Sequence, residues 1–504
     1  MWHKILIVVF ISSVIYLFNG CGGGGGNNTT THNNPPTTPP VTTTNSMKFT
    51  VSVANTTPND DFICINFDDN QPALKMSKTD IVNQWTIDIN QSDFLPTNRY
   101  KYCRDCECEA ADELLNTTSN YREFDFQAET TQNDTVSAWR WLDPNNINFE
   151  LNTTGYITQK PDINKTTFFT GMLLNDWWKH QWIDSFDTTM KHIKNDTASK
   201  WIQITPISQI NNINDPANLT ITQVGANGIS DEDLNRSIQL AHNNGLKVFL
   251  NPSLWSFQED QHYADHNQTW WDNFERAWRP ILLHYAKLAQ DNNVEMLEFK
   301  MWYDIDSINT NEANKTNPLA NQLLTDIAAQ YNGEIATQSV CYDHSKPILD
   351  IFNSDKIDYL AINIWPYYPW HLGNSKDDNV SQIYNNLDSN LTYCHQFYTD
   401  NNITKPIIIE QLSSASYDGA IIQAITDDEA IDSFHENNIS VVLDLQEQAD
   451  MIEASLHSIS QQNWIVGNFV FTYFFWDSIG KDINVRGKPA QKVIKKWYDW
   501  LNNL

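Results

Sequence analysis

The residues of this chain that could do chemistry stand where strand-like runs end. Apolar runs stop repeatedly at amides, carboxylates and aromatic rings. One run, Ile407-Ile408-Ile409, ends on Glu410, a carboxylate that could serve as nucleophile, acid or base. The other ends carry Asp176, Trp177, Asn251, Trp255, Asn363, Trp365, Tyr473 and Trp476. Aromatic faces pack on the apolar faces of sugar rings and amides bind hydroxyl groups, so the set predicts a carbohydrate cleft.

Eight strand-like runs, alternating with helical segments, must position these residues. They span residues 167–174, 200–205, 247–251, 294–299, 334–337, 357–363, 406–410 and 466–473. This alternation predicts an α/β fold, a (β/α)8 TIM barrel over residues 165–504, in which chemistry lies at the C-terminal ends of the strands. A doubly wound sheet is the alternative, but eight even units without a Gly-rich phosphate loop favour the barrel. Any single Trp could equally be a core residue.

One helix has clear end signals. Ser230 precedes the acidic turn Asp231-Glu232-Asp233, and Leu234, Ile238 and Ala241 then fall on one face. A Ser cap and acidic side chains stabilise a helix N-terminus. Gly245 is expected to end the helix just before the third strand.

Several short motifs follow one another in this barrel segment. They are Ser230-Asp231-Glu232-Asp233-Leu234, Ala241–Val248, Tyr285–Ala289, Tyr331–Ile335, Ile357–Asn363, Lys405–Glu410 and Arg486–Ala490. In this order and spacing, the set resembles clan A glycoside hydrolases, most closely the family 113 endo-mannanase kind, over about residues 168–500. The resemblance implies a retaining hydrolase with a nucleophile at the end of strand seven and an acid/base at the end of strand four.

Glu410 stands where the resemblance places the nucleophile. Trp302 stands where it places the acid/base Glu, and Lys300 where a Gly is expected. Asp304 has the same alternation parity as Trp302 and is the provisional acid, while the deeper Glu298 could pair with Lys300. Loss of a general acid costs about 10²–10⁴-fold in rate. The alternative to a hydrolase is therefore an impaired barrel that binds glycan, and a structural or unrelated lipoprotein is a third possibility.

The N-terminus predicts export. Residues 1–20 combine a basic start with a short apolar run, and the end of this segment resembles a bacterial lipoprotein signal. The resemblance implies lipidation of Cys21 and anchoring to the bacterial membrane or cell surface. Residues 21–46, rich in Gly, Asn, Thr and Pro, then form a flexible tether. The alternative is an ordinary cleaved signal with a free N-terminus.

Residues 47–145 alternate as short strands and predict a small all-β sandwich ahead of the barrel. Its motifs are Phe49-Thr50-Val51, Gln84–Ile89, Arg99–Tyr102 and Asp134-Thr135-Val136 before Trp139. Their order resembles the family 20 starch-binding modules, which implies glycan binding. Trp85 and Trp139 could be ligand platforms or core residues.

Charge and cysteine content limit the remaining functions. The net charge is −30, with 32 Lys and Arg against 62 Asp and Glu, so the chain repels nucleic acid and none is expected as a partner. Beyond Cys21, six Cys could form disulfides in an exported protein. A zinc site at Cys103, Cys106 and Cys108 is the alternative, for which the usual ligand spacing is lacking. We predict no cofactor and no metal, and a polysaccharide or oligosaccharide as partner.

Overall fold

The computed structural model describes most of the chain beyond the N-terminal segment. The described residues are 46–68, 71–90, 98–112, 121–124, 130–140, 142, 149–175, 177–223, 228–255, 266–301, 305, 308–366, 370–422 and 442–504. The predicted signal, Cys21 and all of the predicted tether except Ser46 lie outside these ranges. Within them, no helix has both the length and the apolar character needed to cross a membrane.

The N-terminal region is built of short strands. They are β1 (Ser46–Val53), β2 (Ile63–Asn66), β3 (Leu74–Lys75), β4 (Ser77–Lys78), β5 (Gln84–Asn90), β6 (Arg99–Arg104), β7 (Glu107–Ala111), β8 (Arg122–Glu123) and β9 (Thr131–Val136). One sheet has the order β4-β5-β1-β9 and the other the order β3-β2-β6-β7, with β8 paired to β6. Trp85 and Trp139 are both buried, and Trp139 Nε1 donates to Thr57 Oγ1 at 2.8 Å. Both rings are therefore core residues of this β domain.

Parallel strands dominate the rest of the chain. They are β10 (Phe169–Leu174), β11 (Trp201–Ile204), β14 (Lys247–Leu250), β16 (Met296–Phe299), β17 (Glu334–Gln338), β18 (Tyr359–Ile364), β19 (Ile407–Leu412) and β20 (Ile465–Tyr473). A small side sheet contains β12 (Ile207–Asn211), β13 (Thr220–Gln223) and β15 (Ser253–Trp255). The eight parallel strands close into a barrel in chain order, and β20 pairs with β10. The predicted barrel fold is confirmed.

Helices surround the barrel. They are α1 (Phe186–Thr197), α2 (Asp231–Asn243), α3 (Gln268–Asp291), α4 (Thr310–Ala328), α5 (Val380–Asp400), α6 (Leu445–Gln461) and α7 (Ala490–Leu501). The predicted cap of α2 is confirmed, since Ser230 Oγ accepts from the backbone N–H of Asp233 at 3.1 Å. Gly245 follows with a φ of 74°, a left-handed conformation that glycine adopts readily.

Strand β10 has no room for a side chain at Gly171. A Cβ atom there would lie 2.2 Å from Phe469 Cδ1 of β20. Gly171→Ala should therefore lower the free energy of unfolding by about 1–3 kcal/mol, the usual cost of overpacking a core. Urea unfolding measures this loss, and the double variant Gly171→Ala/Phe469→Leu should recover part of it. Equal unfolding midpoints for Gly171→Ala and the unsubstituted protein would contradict this packing.

Buried charges join the β domain to the barrel. Arg104 Nε lies 2.6 Å from Asp61 Oδ2, with both side chains almost fully buried, and Arg104 Nη1 donates to the carbonyl of Asp477 at 2.9 Å. On the other side of the contact, Arg486 Nη2 lies 3.0 Å from Asp60 Oδ2. Asp477 and Arg486 both follow β20, so the β domain packs directly against the segment that leaves the last barrel strand.

The six described cysteines form three disulfides. Cys64 pairs with Cys106, Cys103 with Cys108, and Cys341 with Cys394. The disulfide prediction is confirmed, and no three-Cys metal site is left for the alternative. Two of the disulfides hold the turn between β6 and β7, where Trp182 Nε1 of the barrel donates to the carbonyl of Asp105 at 2.9 Å.

Candidate functional site

Side chains inside the barrel change from apolar to polar along the strands. An apolar cluster fills the interior with Trp201, Phe249, Met296, Ala336, Ala361, Ile408 and Phe469. Because side chains alternate across a strand, the residues two positions later face the same interior. Those residues are Gln203, Asn251, Glu298, Gln338, Asn363, Glu410 and Phe471. All but the last are polar, so the C-terminal end of the barrel is lined with hydrogen-bonding groups, at the end where such barrels do chemistry.

Glu410 lies within β19, close to its C-terminal end, and is fully buried. The pairing with β18 shifts at this point, since Ile362 pairs with Ile409 but Asn363 pairs with Gln411. Glu410 is thus the extra residue of a β-bulge, a feature that re-aims a side chain beside an active site. The structure therefore places the predicted nucleophile in the barrel interior at the expected strand.

Lys300 joins two buried carboxylates in the interior. Its ammonium Nζ lies 3.1 Å from Glu298 Oε2 and 3.5 Å from Glu410 Oε1. Both glutamates have no exposed side-chain surface, and the lysine side chain is 12 % exposed. The predicted pairing of Glu298 with Lys300 is confirmed. The contact of Lys300 with Glu410 was not predicted from sequence.

Burial and mutual charge decide how this cluster titrates. Burial raises the pKa of Glu298 well above its usual range, and the neighbouring Glu410 charge raises it further. For Lys300, burial opposes the charge, but Glu298 and Glu410 outweigh it and raise its pKa. A proton on Glu298 leaves the charged Lys300 with one buried carboxylate fewer to compensate, which lowers the cost of burying the three groups together.

Amide groups next to this cluster are also buried. Within the described part of the chain, both amide atoms of Gln203 and the Oδ1 atoms of Asn251 and Asn363 have no hydrogen-bond partner. Trp370 Nε1 donates to the backbone carbonyl of Asn363 at 2.5 Å and fixes that strand end. Buried polar atoms are normally hydrogen-bonded, so these amides suit a ligand rich in hydroxyl groups.

Two predicted aromatic residues are half-buried near the end of β20. Trp177 packs edge-on against Phe474 with ring centroids 5.3 Å apart. Trp365 packs edge-on against Phe471 with centroids 5.6 Å apart. The structure thus brings both rings to the end of the last barrel strand.

Tyr473 and Trp476 instead lie in the core. Tyr473 has no exposed surface and Trp476 is 1 % exposed. The Trp476 ring packs against Trp182 and Phe474, with centroids 5.4 and 4.7 Å apart. The sequence predicts both as residues of the sugar cleft, but neither ring is open to solvent. Arg486 Nη1 holds the backbone after β20 by donating to the carbonyls of Phe474 and Phe475. Three further predictions, Asp176, Asp304 and the side chain of Trp255, lie outside the described residues.

The interior residues that we did not predict carry a simple signal. Gln203 and Gln338 each stand two positions after an interior apolar residue, Trp201 and Ala336. The alternation of side chains along a strand, followed two residues onward from each interior apolar residue, would have predicted that both glutamines face the barrel interior. The reach of Lys300 has no such signal, because it depends on how far a flexible side chain extends across the barrel.

A second group of acids lies near the start of α6. Carboxylate oxygens of Asp418, Asp444 and Glu447 all lie within 4.8 Å of one another. Each already has a structural role. Asp444 caps α6, and Lys376 Nζ lies 2.7 Å from Asp418 Oδ2. Glu447 accepts the backbone N–H groups of Gly419 and Ile421 at 2.7 and 2.8 Å.

Glu447 should make stability depend on pH. Burial, with Asp444 and Asp418 nearby, raises the pKa of Glu447 from 4.5 to about 7. A carboxyl whose pKa rises on folding stabilises the folded state fully below about pH 4.5, and this contribution is lost as the pH rises through 7. The loss amounts to about 3 kcal/mol at most. Urea unfolding between pH 4.5 and 8 should show a smaller pH dependence for Glu447→Gln than for the unsubstituted protein.

The exposed Glu232 of α2 provides the matched control for this substitution. Glu232→Gln should follow the pH dependence of the unsubstituted protein. If Glu447→Gln follows it as well, Glu447 does not carry the proton that we assign to it.

A closed parallel barrel with buried carboxylates near the ends of its fourth and seventh strands defines the class: a TIM barrel with its polar site at the C-terminal end. The profile of Glycoside Hydrolase Family 113 matches residues 167–483. The chain belongs to Glycoside Hydrolase Family 113. Glycoside hydrolases act on oligosaccharides or polysaccharides.

Solved structures agree with this fold. A GH113 β-1,4-mannanase in a complex has 17 % identity and a TM-score of 0.50, over 66 % of this chain and 99 % of that chain. The GH113 β-mannanase AaManA from Alicyclobacillus acidocaldarius, in complex with ManMIm, has 16 % identity and a TM-score of 0.50, over 67 % of this chain and 98 % of that chain. At this identity the likeness shows the fold. Among curated proteins, none matches the chain.

Proposed function

We propose that the barrel hydrolyses a polysaccharide, with Glu410 as the nucleophile of a retaining mechanism. The position of Glu410 carries this proposal: it is a buried carboxylate near the C-terminal end of the seventh barrel strand, with the Lys300 ammonium 3.5 Å from its Oε1. The similar solved structures include β-1,4-mannanases. A β-1,4-mannan is therefore the first substrate to test.

In this mechanism the Glu410 carboxylate attacks the anomeric carbon and forms a glycosyl-enzyme ester. The bond to the leaving oxygen breaks, and that oxygen takes a proton from a general acid, for which we propose Asp304. Water then attacks the same carbon, releases Glu410 and gives its proton to Asp304. Asn251, Asn363 and Gln203 would bind sugar hydroxyls, with Asp176, Trp177, Trp255 and Trp365 along the cleft.

A second candidate function is glycan capture without cleavage. It is favoured by Lys300, whose side chain enters the interior from the fourth strand and forms an ion pair with Glu410. Trp302 also stands where the family resemblance places the acid/base. A barrel without a general acid would lose about 10²–10⁴-fold in rate and could serve as a binding protein.

The experiment that separates these functions measures reducing ends released from mannans, glucans, xylan and starch. We expect one polymer to be cleaved, and Asp304→Asn to lower that cleavage. Affinity electrophoresis on the same polymers measures binding independently of cleavage. Binding without any cleavage would contradict the hydrolase and support glycan capture.

We further propose that the protein is exported and lipid-anchored through Cys21, and that its β domain binds glycan as the starch-module resemblance implies. Incorporation of labelled fatty acid into the full chain, lost in Cys21→Ser, tests the anchor. Equal labelling of both proteins would contradict it. Because Trp85 and Trp139 are core residues, any glycan site on the β domain must use other side chains.

A further inference from the structure

Two hydrogen bonds fix the backbone from which Lys300 projects. Trp278 Nε1 of α3 donates to the carbonyl of Lys300 at 2.7 Å. Thr337 Oγ1 of β17 donates to the carbonyl of Phe299 at 2.8 Å. Both donor residues are buried in regular elements. The lysine therefore enters the barrel from a rigid point, as expected for a residue that orients a neighbour.

The two carboxyl groups beside Lys300, those of Glu298 and Glu410, differ in which of them holds a proton. Glu298 lies in the fourth barrel strand, Lys300 is the first residue after that strand, and Glu410 approaches from the seventh. One ammonium cannot compensate two buried negative charges, so one carboxyl must hold a proton. Glu298 is the group whose protonated form burial and the Glu410 charge favour. Glu410 is then left as the ionised partner of Lys300.

We propose that Lys300 and Glu298 are positioning residues for Glu410, in which Lys300 holds the Glu410 carboxylate ionised and oriented while Glu298 carries the proton that keeps the cluster neutral. This inference rests on the proposed role of Glu410 as nucleophile. It explains how Lys300 and the buried Glu298 can lie beside Glu410 while the Glu410 carboxylate stays able to react. In this chain the charge state of the nucleophile is set from the fourth strand.

The test measures nucleophile reactivity without requiring a general acid. A 2-deoxy-2-fluoro-β-glycosyl fluoride labels a retaining nucleophile: a carboxylate oxygen bonds to the anomeric carbon, and the C–F bond breaks with its electron pair on fluoride. The full chain would be treated with the mannobiosyl, cellobiosyl and xylobiosyl fluorides. Intact mass and peptide mapping give the labelling rate and the labelled residue, and circular dichroism reports folding.

Lys300→Met should slow labelling of Glu410 by at least about 10²-fold, the order of loss when one preorganised charge is removed from an active site. Lys300→Arg keeps the positive charge and should restore labelling to within about tenfold of the unsubstituted rate. The remaining difference is expected because the planar guanidinium of Arg does not fit a site shaped for the compact ammonium of Lys. Lys287→Met, on the exposed surface of α3, is the matched control and should label normally.

The variant Glu298→Gln tests whether the Glu298 carboxyl carries the proton that we assign to it. Among the described residues, the charged groups that face Glu298 are Lys300, directly after its own strand, and Glu410 on β19. When Glu298 loses its proton at alkaline pH, it competes with Glu410 for Lys300, so labelling of the unsubstituted protein should fall. Glutamine has no proton to lose, and Glu298→Gln should remove this alkaline fall.

The outcomes separate this inference from the proposed function. Normal labelling of folded Lys300→Met overturns the positioning role, whatever polymer is cleaved. An unchanged alkaline fall in Glu298→Gln overturns the role of Glu298. Labelling of Glu410 without cleavage of any polymer removes the proposed hydrolysis and leaves the positioning role standing. If the unsubstituted protein is not labelled at all, the positioning role falls. If Lys300→Met does not fold, the rescue by Lys300→Arg and the pH profile of Glu298→Gln decide.

Discussion

Glu410→Gln is expected to abolish polysaccharide cleavage while the protein stays folded and still binds its polymer. An amide cannot attack the anomeric carbon, so the rate should fall by more than about 10³-fold. The substitution keeps the shape of the side chain and removes the carboxylate that pairs with Lys300. Reducing-end release measures the rate, and affinity electrophoresis measures the binding.

The control for this variant is a glutamate at the opposite end of the barrel. Glu334 begins β17 and accepts from the Tyr359 hydroxyl at 3.0 Å. Residues at that end of a TIM barrel serve stability rather than chemistry. Glu334→Gln should therefore cleave the polymer normally. If Glu410→Gln cleaves as well as Glu334→Gln, then Glu410 is not the nucleophile.

Arg104→Leu is expected to lower the free energy of unfolding by about 3–5 kcal/mol, because it leaves the buried Asp61 without its counter-charge. It also removes the hydrogen bond to the Asp477 carbonyl and with it one link between the β domain and the barrel. Urea unfolding measures the loss. The double variant Arg104→Leu/Asp61→Leu should be more stable than the single one, since the carboxylate that lost its counter-charge is then removed as well.

Arg99 begins the same strand, β6, and is exposed. Its guanidinium lies 4.2 Å from the centroid of the Tyr121 ring, a contact worth about 0.5–1 kcal/mol at an exposed site. Arg99→Leu should therefore cost much less than Arg104→Leu. Equal losses for the two variants would mean that the buried contacts of Arg104 with Asp61 and with the Asp477 carbonyl contribute no more than the exposed contact of Arg99.

The barrel could be predicted from sequence because its strands are short apolar runs at regular intervals. The run at residues 406–410, for example, became β19, with every residue from Ile407 to Glu410 buried. Parallel strands covered on both faces give such continuous runs, so the pattern is strong. The ends were less certain: the fourth strand begins at Met296, two residues later than predicted.

The candidate site was only partly predictable. Position along a strand sufficed for Glu410, since a residue at a barrel strand end faces the site. For Tyr473 and Trp476 it did not, because their burial depends on the return of Arg486, whose guanidinium donates to the carbonyls of Phe474 and Phe475. Such a contact between distant segments leaves no periodic trace in the sequence.

The most direct test of the central claim, that Glu410 attacks the anomeric carbon, is the configuration of the first product. Proton NMR would follow a β-1,4-linked manno-oligosaccharide during cleavage by the unsubstituted protein. A double displacement through Glu410 predicts that the new reducing end appears first as the β-anomer and then mutarotates. An α-anomer formed first, or no product at all, would contradict the claim.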